Sequence, residues 1–84
     1  MRAWQIDWRA PATRALMEMH PDDAMKVDAA VIAFAHAGTG SVSSVADDPR
    51  GLWLRAAGYV IRLQMYPDVR TVSVRWLFNP GSRR

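Results

Sequence analysis

The sequence predicts an α+β fold with the element order β-α-α-β-β-β, in which a helical hairpin packs on one face of a small antiparallel sheet. Apolar residues recur at helical spacing in the first half, and three period-two segments separated by turn residues fill the second half. The composition is that of a globular protein, with 50% hydrophobic and 23% charged residues among 84. We therefore expect a single domain over residues 1–84.

The chain opens on a predicted strand. Trp4, Ile6 and Trp8 alternate with polar residues, as in a short strand with one buried face. Both tryptophans are expected in the core, together with Phe34 and Trp76. These aromatic residues would supply much of the apolar area that so short a chain can bury.

Two helices are predicted next. One begins near Pro11, and the other covers residues 21–37, because His20-Pro21 interrupts the helical pattern and Gly38 suits a C-cap. Their apolar stripes consist of Ala12, Ala15, Leu16 and Met19, and of Ala24, Val27, Val31 and Phe34.

The second half predicts a three-stranded meander. Residues 38–51 are rich in Gly, Ser, Asp and Pro and are expected to be irregular. The expected strands are residues 52–57, 59–66 and 70–78. Ala57-Gly58 and Pro67-Asp68 are predicted as two-residue turns, and such turns fix the pairing of the strands.

That pairing assigns each side chain to a face of the sheet. The face under the helices would collect Leu52, Leu54, Tyr59, Ile61, Leu63, Val72, Val74 and Trp76. The opposite face would collect Trp53, Arg55, Val60, Arg62, Gln64, Ser73, Arg75 and Leu77. One arginine from each strand would thus lie on the open side of the sheet.

The charge is distributed unevenly along the chain. Residues 1–49 contain four basic and seven acidic residues, a net charge of −3, whereas residues 50–84 contain seven arginines and one acid, a net charge of +6. A one-sided basic patch with an aromatic residue is typical of single-stranded nucleic-acid binding, with phosphates on arginine and a base stacked on the ring. The alternative is a solvated face on which arginine stems cover apolar surface.

Composition also excludes several kinds of site. The chain has no cysteine, so disulfides, thiolate metal sites and cysteine nucleophiles are absent. Its longest apolar run, residues 29–35, is too short for a membrane span, and the first residues lack the apolar stretch of a secretory signal. We expect a cytoplasmic protein without cofactor, metal or small-molecule substrate.

Residues 54–59, Leu-Arg-Ala-Ala-Gly-Tyr, resemble the "L-R-x-x-G-Y" hairpin of the RelE/ParE toxin superfamily. The predicted element order and the opening Trp4-Gln5-Ile6-Asp7-Trp8 before an alanine-rich helix are also similar, over nearly the whole length. The resemblance implies the toxin of a bacterial type II toxin–antitoxin system, RelE-like, that inhibits translation by ribosome-dependent cleavage of mRNA. It implies three partners: an antitoxin protein, the ribosome and mRNA.

Only some of the site residues that the resemblance implies are present in this sequence. Arg55 matches a basic position of the family, but Gly51 and Trp53 stand where RelE-like enzymes carry lysines, and Val60 stands where they carry an arginine. Arg62 lies two residues further on and could replace that arginine. A family member that acts by protein binding, such as a gyrase poison or an inactive toxin, and a simple RNA-binding module therefore remain alternatives.

Cleavage would require stabilisation of the charged phosphorane and a proton carrier. We assign Arg55, Arg62 and Tyr66 as the candidate catalytic residues, with Tyr66 carrying the proton because little else on that face titrates. The candidate RNA-binding residues are Trp53, Arg75 and Arg83. His20 and His36 are expected to be structural or exposed.

Overall fold

Five strands and two helices make up the part of the chain that the structure, a computed structural model, describes: residues 3–81. In chain order they are β1 (Gln5–Trp8), α1 (Ala10–Glu18), α2 (Pro21–Ala37), β2 (Ser41–Val45), β3 (Asp48–Ala56), β4 (Tyr59–Tyr66) and β5 (Thr71–Phe78). A short 3-10 turn, Pro67–Val69, precedes β5. No helix within residues 3–81 is long and apolar enough to cross a bilayer.

The strands form one sheet in the order β1-β5-β4-β3-β2. The three later pairings are antiparallel, but β1 runs parallel to β5, with Ile6 beside Val72. The predicted α+β class is confirmed, and the predicted meander of three antiparallel strands forms as β3, β4 and β5. The parallel β1 makes the sheet as a whole mixed. The helices carry the chain from β1 at one edge of the sheet to β2 at the other edge, and β5, the last strand, then pairs in parallel with β1.

β2 is a strand where an irregular segment was predicted. Four of its five residues are exposed, and three of the five are serines, so it carries neither a buried stripe nor a strong strand preference. It forms because β3 offers a free edge, along which Ser41 pairs with Arg55 and Ser43 pairs with Trp53. Pairing with a neighbouring strand decides its conformation more than its own composition does.

The boundaries of α2 follow from its terminal residues. His20 is the N-cap, and its Nδ1 accepts a hydrogen bond from the backbone N–H of Asp22 at 3.1 Å. Asp22 and Asp23 lie in the first turn, where carboxylates interact favourably with the helix dipole. Gly38 ends the helix with φ of +71°, the left-handed conformation that glycine adopts without strain.

The core lies between the helices and one face of the sheet. Its buried residues are Ala12, Val27, Val31, Ala35, Leu54, Ile61, Leu63, Val72, Val74 and Leu77. Trp4, Trp8 and Phe34 are half-buried and pack against this cluster. The predicted stripe of α2 therefore faces the sheet, and the first two tryptophans contribute to the core as expected.

The β3–β4 hairpin has the predicted register. Leu54 pairs with Ile61 and Arg55 pairs with Val60. The two turn residues, Ala57 and Gly58, both have positive φ, +54° and +82°. This is the backbone of the two-residue turn whose twist matches that of the flanking strands.

The β4–β5 register differs from the prediction. The connection spans Pro67 to Arg70, and Leu63 rather than Ile61 pairs with Val74. A β-bulge then shifts the pairing again, so that Arg62 pairs with Trp76. The predicted two-residue turn is wrong because Pro67 begins a 3-10 turn that needs two more residues to reverse the chain.

The bulge also exchanges two side chains between the faces of the sheet. Leu77 enters the core, where its exposed fraction is 6%. Trp76, predicted to be buried under the helices, is instead 40% exposed on the opposite face. One additional residue in an alternating strand has this effect on every position beyond it.

Candidate nucleic-acid interface

The sheet has one face that the helices leave uncovered, and the strand pairings define its residues. We call it the open face. Its central row runs across β2, β3, β4 and β5 through Ser43, Trp53, Arg62 and Trp76, and the next row runs through Ser41, Arg55, Val60 and Phe78. The structure thus confirms that Arg55, Arg62 and Trp53 share the open side of the sheet.

Arg62 lies between two tryptophan rings. Its guanidinium carbon is 5.4 Å from the ring centroid of Trp53 and 5.3 Å from that of Trp76. Both distances fall within the range of cation–π attraction, which contributes about 0.5–2 kcal/mol per pair depending on solvation. We call these three residues the Trp–Arg–Trp stack.

An aspartate fixes the guanidinium in that position. Arg62 Nη2 donates to Asp48 Oδ2 at 2.6 Å and to Gln64 Oε1 at 3.3 Å. The side chains of Arg62 and Asp48 are only 14% and 29% exposed. Arg62 Nε is buried and has no hydrogen-bond partner among residues 3–81. Arg62 is therefore already neutralised and held by protein groups.

The carboxylate of Asp48 is held in its charged form. The backbone N–H of Arg50 donates to Asp48 Oδ1 at 3.1 Å and is the main cause of a lowered pKa of Asp48. Burial of the carboxylate opposes this effect, and a hydrogen bond from Gln64 and the charge of Arg62 lower the pKa of Asp48 further. The ion pair with Arg62 is thus maintained at neutral pH.

Gly51 makes room for this ion pair. A Cβ at this position would lie 2.8 Å from Arg62 Nη2 and 2.9 Å from Asp48 Oδ2. Such contacts are closer than packed atoms tolerate, so the position requires a glycine while the pair is formed. Any larger residue at position 51 would have to displace one of the two partners of the ion pair.

The strand pairings place two of the three predicted arginines, Arg55 and Arg62, on the open face. The two-residue turn predicted at Pro67-Asp68 would place Arg75 opposite Val60, but Phe78 takes that place. Arg75 is the extra residue of the bulge, and together with Trp76 it opposes Arg62. Its predicted role in RNA binding stays a prediction.

Tyr66 lies at the far end of the open face from Arg55. It ends β4 and is exposed, six residues from Val60, the partner of Arg55. Six strand residues correspond to about 20 Å, so Tyr66 and Arg55 do not meet at one phosphate. Arg83, the remaining predicted site residue, lies outside the described residues.

The histidines do not join the candidate site. His20 caps α2, and His36 lies in the last turn of the same helix, which covers the opposite face of the sheet. His36 also lines an apolar cavity of about 190 Å³ at the end of α2, together with Trp4, Phe34 and Met65. That cavity adjoins the core and is separate from the open face.

Three residues of the open-face site were not foreseen from the sequence. Asp48 and Gly51 lay in the segment predicted to be irregular, and Trp76 was assigned to the core. Asp48 meets Arg62 across 14 residues, and no local motif marks such a pairing. The closest sequence signal is the Asp-Pro-Arg-Gly run at residues 48–51, which indicates only a turn.

A search of solved structures finds this fold in a chain of the crystal structure of the toxin–antitoxin complex RelBE2 from Mycobacterium tuberculosis. The TM-score is 0.66 at 17% sequence identity, and the match covers 98% of this chain and 97% of that chain. No family model matches the sequence, and no curated protein matches it. The chain therefore has the RelE-like toxin fold that the hairpin and the element order predicted.

Proposed function

We propose that this chain is the toxin of a toxin–antitoxin pair and that it inhibits translation by binding mRNA on the ribosome through the open face. The observation that supports this proposal most directly is the composition of the open face, where the Trp–Arg–Trp stack lies beside the exposed Arg55. The likeness in fold to a chain of a toxin–antitoxin complex supports the same proposal. Aromatic rings beside cations suit single-stranded RNA, whose bases are free to stack.

Arg55 and Arg62 have different proposed roles because their side chains have different partners. Arg55 is exposed and free to contact a phosphate, whereas Arg62 is paired with Asp48 between two rings. In the proposal Arg55 supplies the positive charge for a backbone phosphate. Arg62 fixes the two tryptophans and contributes to the local potential without leaving its carboxylate.

Cleavage of the bound message is the finer part of the proposal. Arg55 would stabilise the developing charge at the phosphorus, whereas Tyr66 lies too far from Arg55 along the sheet to deliver a proton to the same phosphate. Arginine itself is a poor base because it stays protonated. Replacing Tyr66 by phenylalanine should therefore leave single-turnover cleavage unchanged, and a loss of about 10²-fold or more would assign the proton transfer to its hydroxyl after all.

A second candidate is binding without cleavage. It is favoured by the separation of about 20 Å between Tyr66 and Arg55 along the sheet. Such a chain would block translation by occupying the message, or would act on a protein such as DNA gyrase. Purified gyrase and a supercoiling assay would detect the latter action.

The test uses purified ribosomes programmed with a defined message. We expect added protein to stop peptide synthesis and, if it cleaves, to produce cuts that primer extension finds only when ribosomes are present. Arg55→Ala should weaken the effect, whereas the matched control Arg14→Ala, on the exposed side of α1, should not. Undiminished translation at saturating protein would overturn the proposal.

We also propose an antitoxin protein as partner. Met17, Met25 and Ile32 are large apolar side chains exposed on the two helices, away from the open face. A partner that covered them would stabilise this small domain by mass action. Co-expression with the protein of a neighbouring reading frame should raise the melting temperature, and an unchanged temperature for the purified mixture would argue against that partner.

A further inference from the structure

Trp76 is displayed on the open face by the bulge in β5. Without the extra residue, the alternation of the strand would place Trp76 beside Ile61 in the core and Leu77 outside. The bulge instead leaves Trp76 40% exposed and Phe78, two residues further on, 45% exposed. Bulges commonly redirect side chains next to functional sites, and here the redirected side chain is a tryptophan.

The stack holds the exposed ring of Trp76 in place. The Arg62 guanidinium contacts one side of this ring, and Arg62 is itself fixed by Asp48 and Trp53. A ring that is ordered before binding loses little conformational freedom when a ligand stacks on it. The exposed surface of Trp76 is thus prepared for a planar group.

We propose that Trp76 is the stacking site for an unpaired base of single-stranded RNA, with Phe78 as the neighbouring ring and Arg55 as the phosphate contact. The inference rests on the proposed RNA-binding function and names the residue that would recognise the base. It moves the stacking role from Trp53, whose ring is half-buried, to Trp76. Trp53 and Arg62 become positioning residues that support the ring.

Charge decides between RNA and an apolar protein partner for this surface. The carboxylate of Asp48 forms an ion pair with Arg62. Arg55 is exposed, and it lies in the same row of the sheet as Val60 and Phe78. An exposed cation that shares a row with the exposed ring of Phe78, next to the row of Trp76, suits a ligand with alternating phosphates and bases. A wholly apolar partner would leave the Arg55 charge unpaired at the interface.

The experiment compares two labelled oligoribonucleotides, one carrying bases and one with the same backbone but abasic sites. Fluorescence anisotropy gives the affinity of the full chain for each. We expect Trp76→Leu to weaken binding of the base-containing strand by about 5- to 150-fold, the range for one lost stacked base, and to leave the abasic strand unaffected. Arg55→Ala should weaken binding of both strands, because both keep their phosphates.

Two further variants guard against a trivial loss of folding. Trp76→Phe keeps a ring at this position and should retain part of the preference for bases. Met17→Ala removes an exposed apolar side chain on α1, and both affinities should stay at wild-type values. Circular dichroism of each variant reports whether it is folded.

The outcomes separate this inference from the function on which it rests. If the wild-type chain binds RNA and Trp76→Leu leaves the preference for bases intact, the stacking role is overturned, RNA binding stands, and the exposed ring belongs to a protein interface. An equal loss for both strands would also overturn it, because that loss would reflect disturbed phosphate contacts. If the wild-type chain binds neither strand, the proposed function fails and the inference with it.

Discussion

Asp48 shows how single residues outside the predicted site determine what the site can do. Its carboxylate accepts from Arg50, Gln64 and Arg62 and so holds the start of β3 against β4. The sequence predicts Arg62 as one of three arginines on the open side of the sheet and indicates no acidic partner for it. Its partner was not foreseeable because it depends on a tertiary contact between two strands.

The first prediction at the scale of single residues concerns the stability of the fold at low pH. The pKa of Asp48 in the folded chain lies below the ordinary value of 3.8, so near that pH the unfolded chain binds more protons than the folded chain. The stabilising contribution of Asp48 is therefore complete above the ordinary value and is lost as the pH falls through the lowered pKa. Melting temperatures of the wild type and Asp48→Asn should differ at pH 7 and converge in acid.

The matched control is Asp68→Asn, which removes a carboxylate from the exposed 3-10 turn. The difference in melting temperature between this variant and the wild type should stay the same at every pH in that range. A difference between the wild type and Asp48→Asn that stays constant from neutral to strongly acidic pH would contradict the assignment.

Gly51 carries the second prediction. Gly51→Ala places a methyl group against both partners of the ion pair and should lower the free energy of unfolding by about 1–3 kcal/mol. In an Asp48→Ala background, where the carboxylate is absent, the same change should cost less. Denaturant titration of the wild type, the two single variants and the double variant gives the coupling energy between positions 48 and 51. Strictly additive effects would show that Gly51 does not make room for the ion pair.

At the scale of elements, local patterns predict those segments whose conformation depends on their own residues. The bounds of α2 and β4 agree with the prediction, since Pro21 and Gly38 delimit the helix and the flanking turns delimit the strand. β2 was missed because its stability comes from pairing with β3. No sequence pattern indicates the bulge at Arg75. Because of this one extra residue, Trp76 was predicted on the wrong face of the sheet.

The β3–β4 turn gives the third prediction. Ala57 has φ of +54°, a conformation in which its Cβ is crowded, whereas asparagine tolerates it and forms the favoured Asn-Gly turn. Ala57→Asn should therefore raise the free energy of unfolding by about 0.5–1 kcal/mol and the melting temperature by a few degrees. Ala57→Val, which adds a β-branched side chain, should change both in the opposite direction, and equal effects of the two variants would refute the turn geometry.

At the scale of the whole molecule, the uneven charge of the sequence is distributed differently over the helices and the later strands. The acidic first half supplies both helices, and the basic second half supplies three of the five strands described for residues 3–81. The resemblance in the hairpin predicted the fold, which the match to a chain of the RelBE2 complex confirms. The chemistry was less predictable, because it depends on which arginines are paired and on the positions of aromatic rings across the sheet.

The fourth prediction concerns salt. If Arg55 contacts a phosphate, Arg55→Ala should lower the slope of log affinity against log salt concentration by about 0.7, the value for one phosphate of a single strand. Arg14→Ala, on α1, should leave the slope unchanged. Equal slopes for the wild type and Arg55→Ala would remove Arg55 from the interface.

The central claim is that the open face of the sheet is the RNA-binding surface. Its most direct test is a titration of the isotope-labelled chain with a single-stranded oligoribonucleotide, followed by NMR. We expect the largest chemical-shift changes at the indole N–H of Trp76 and at the backbone amides around Arg55 and Phe78, with the amides of α1 and α2 little changed. Shifts concentrated on the helices, or no shifts at saturating RNA, would contradict this account of the molecule.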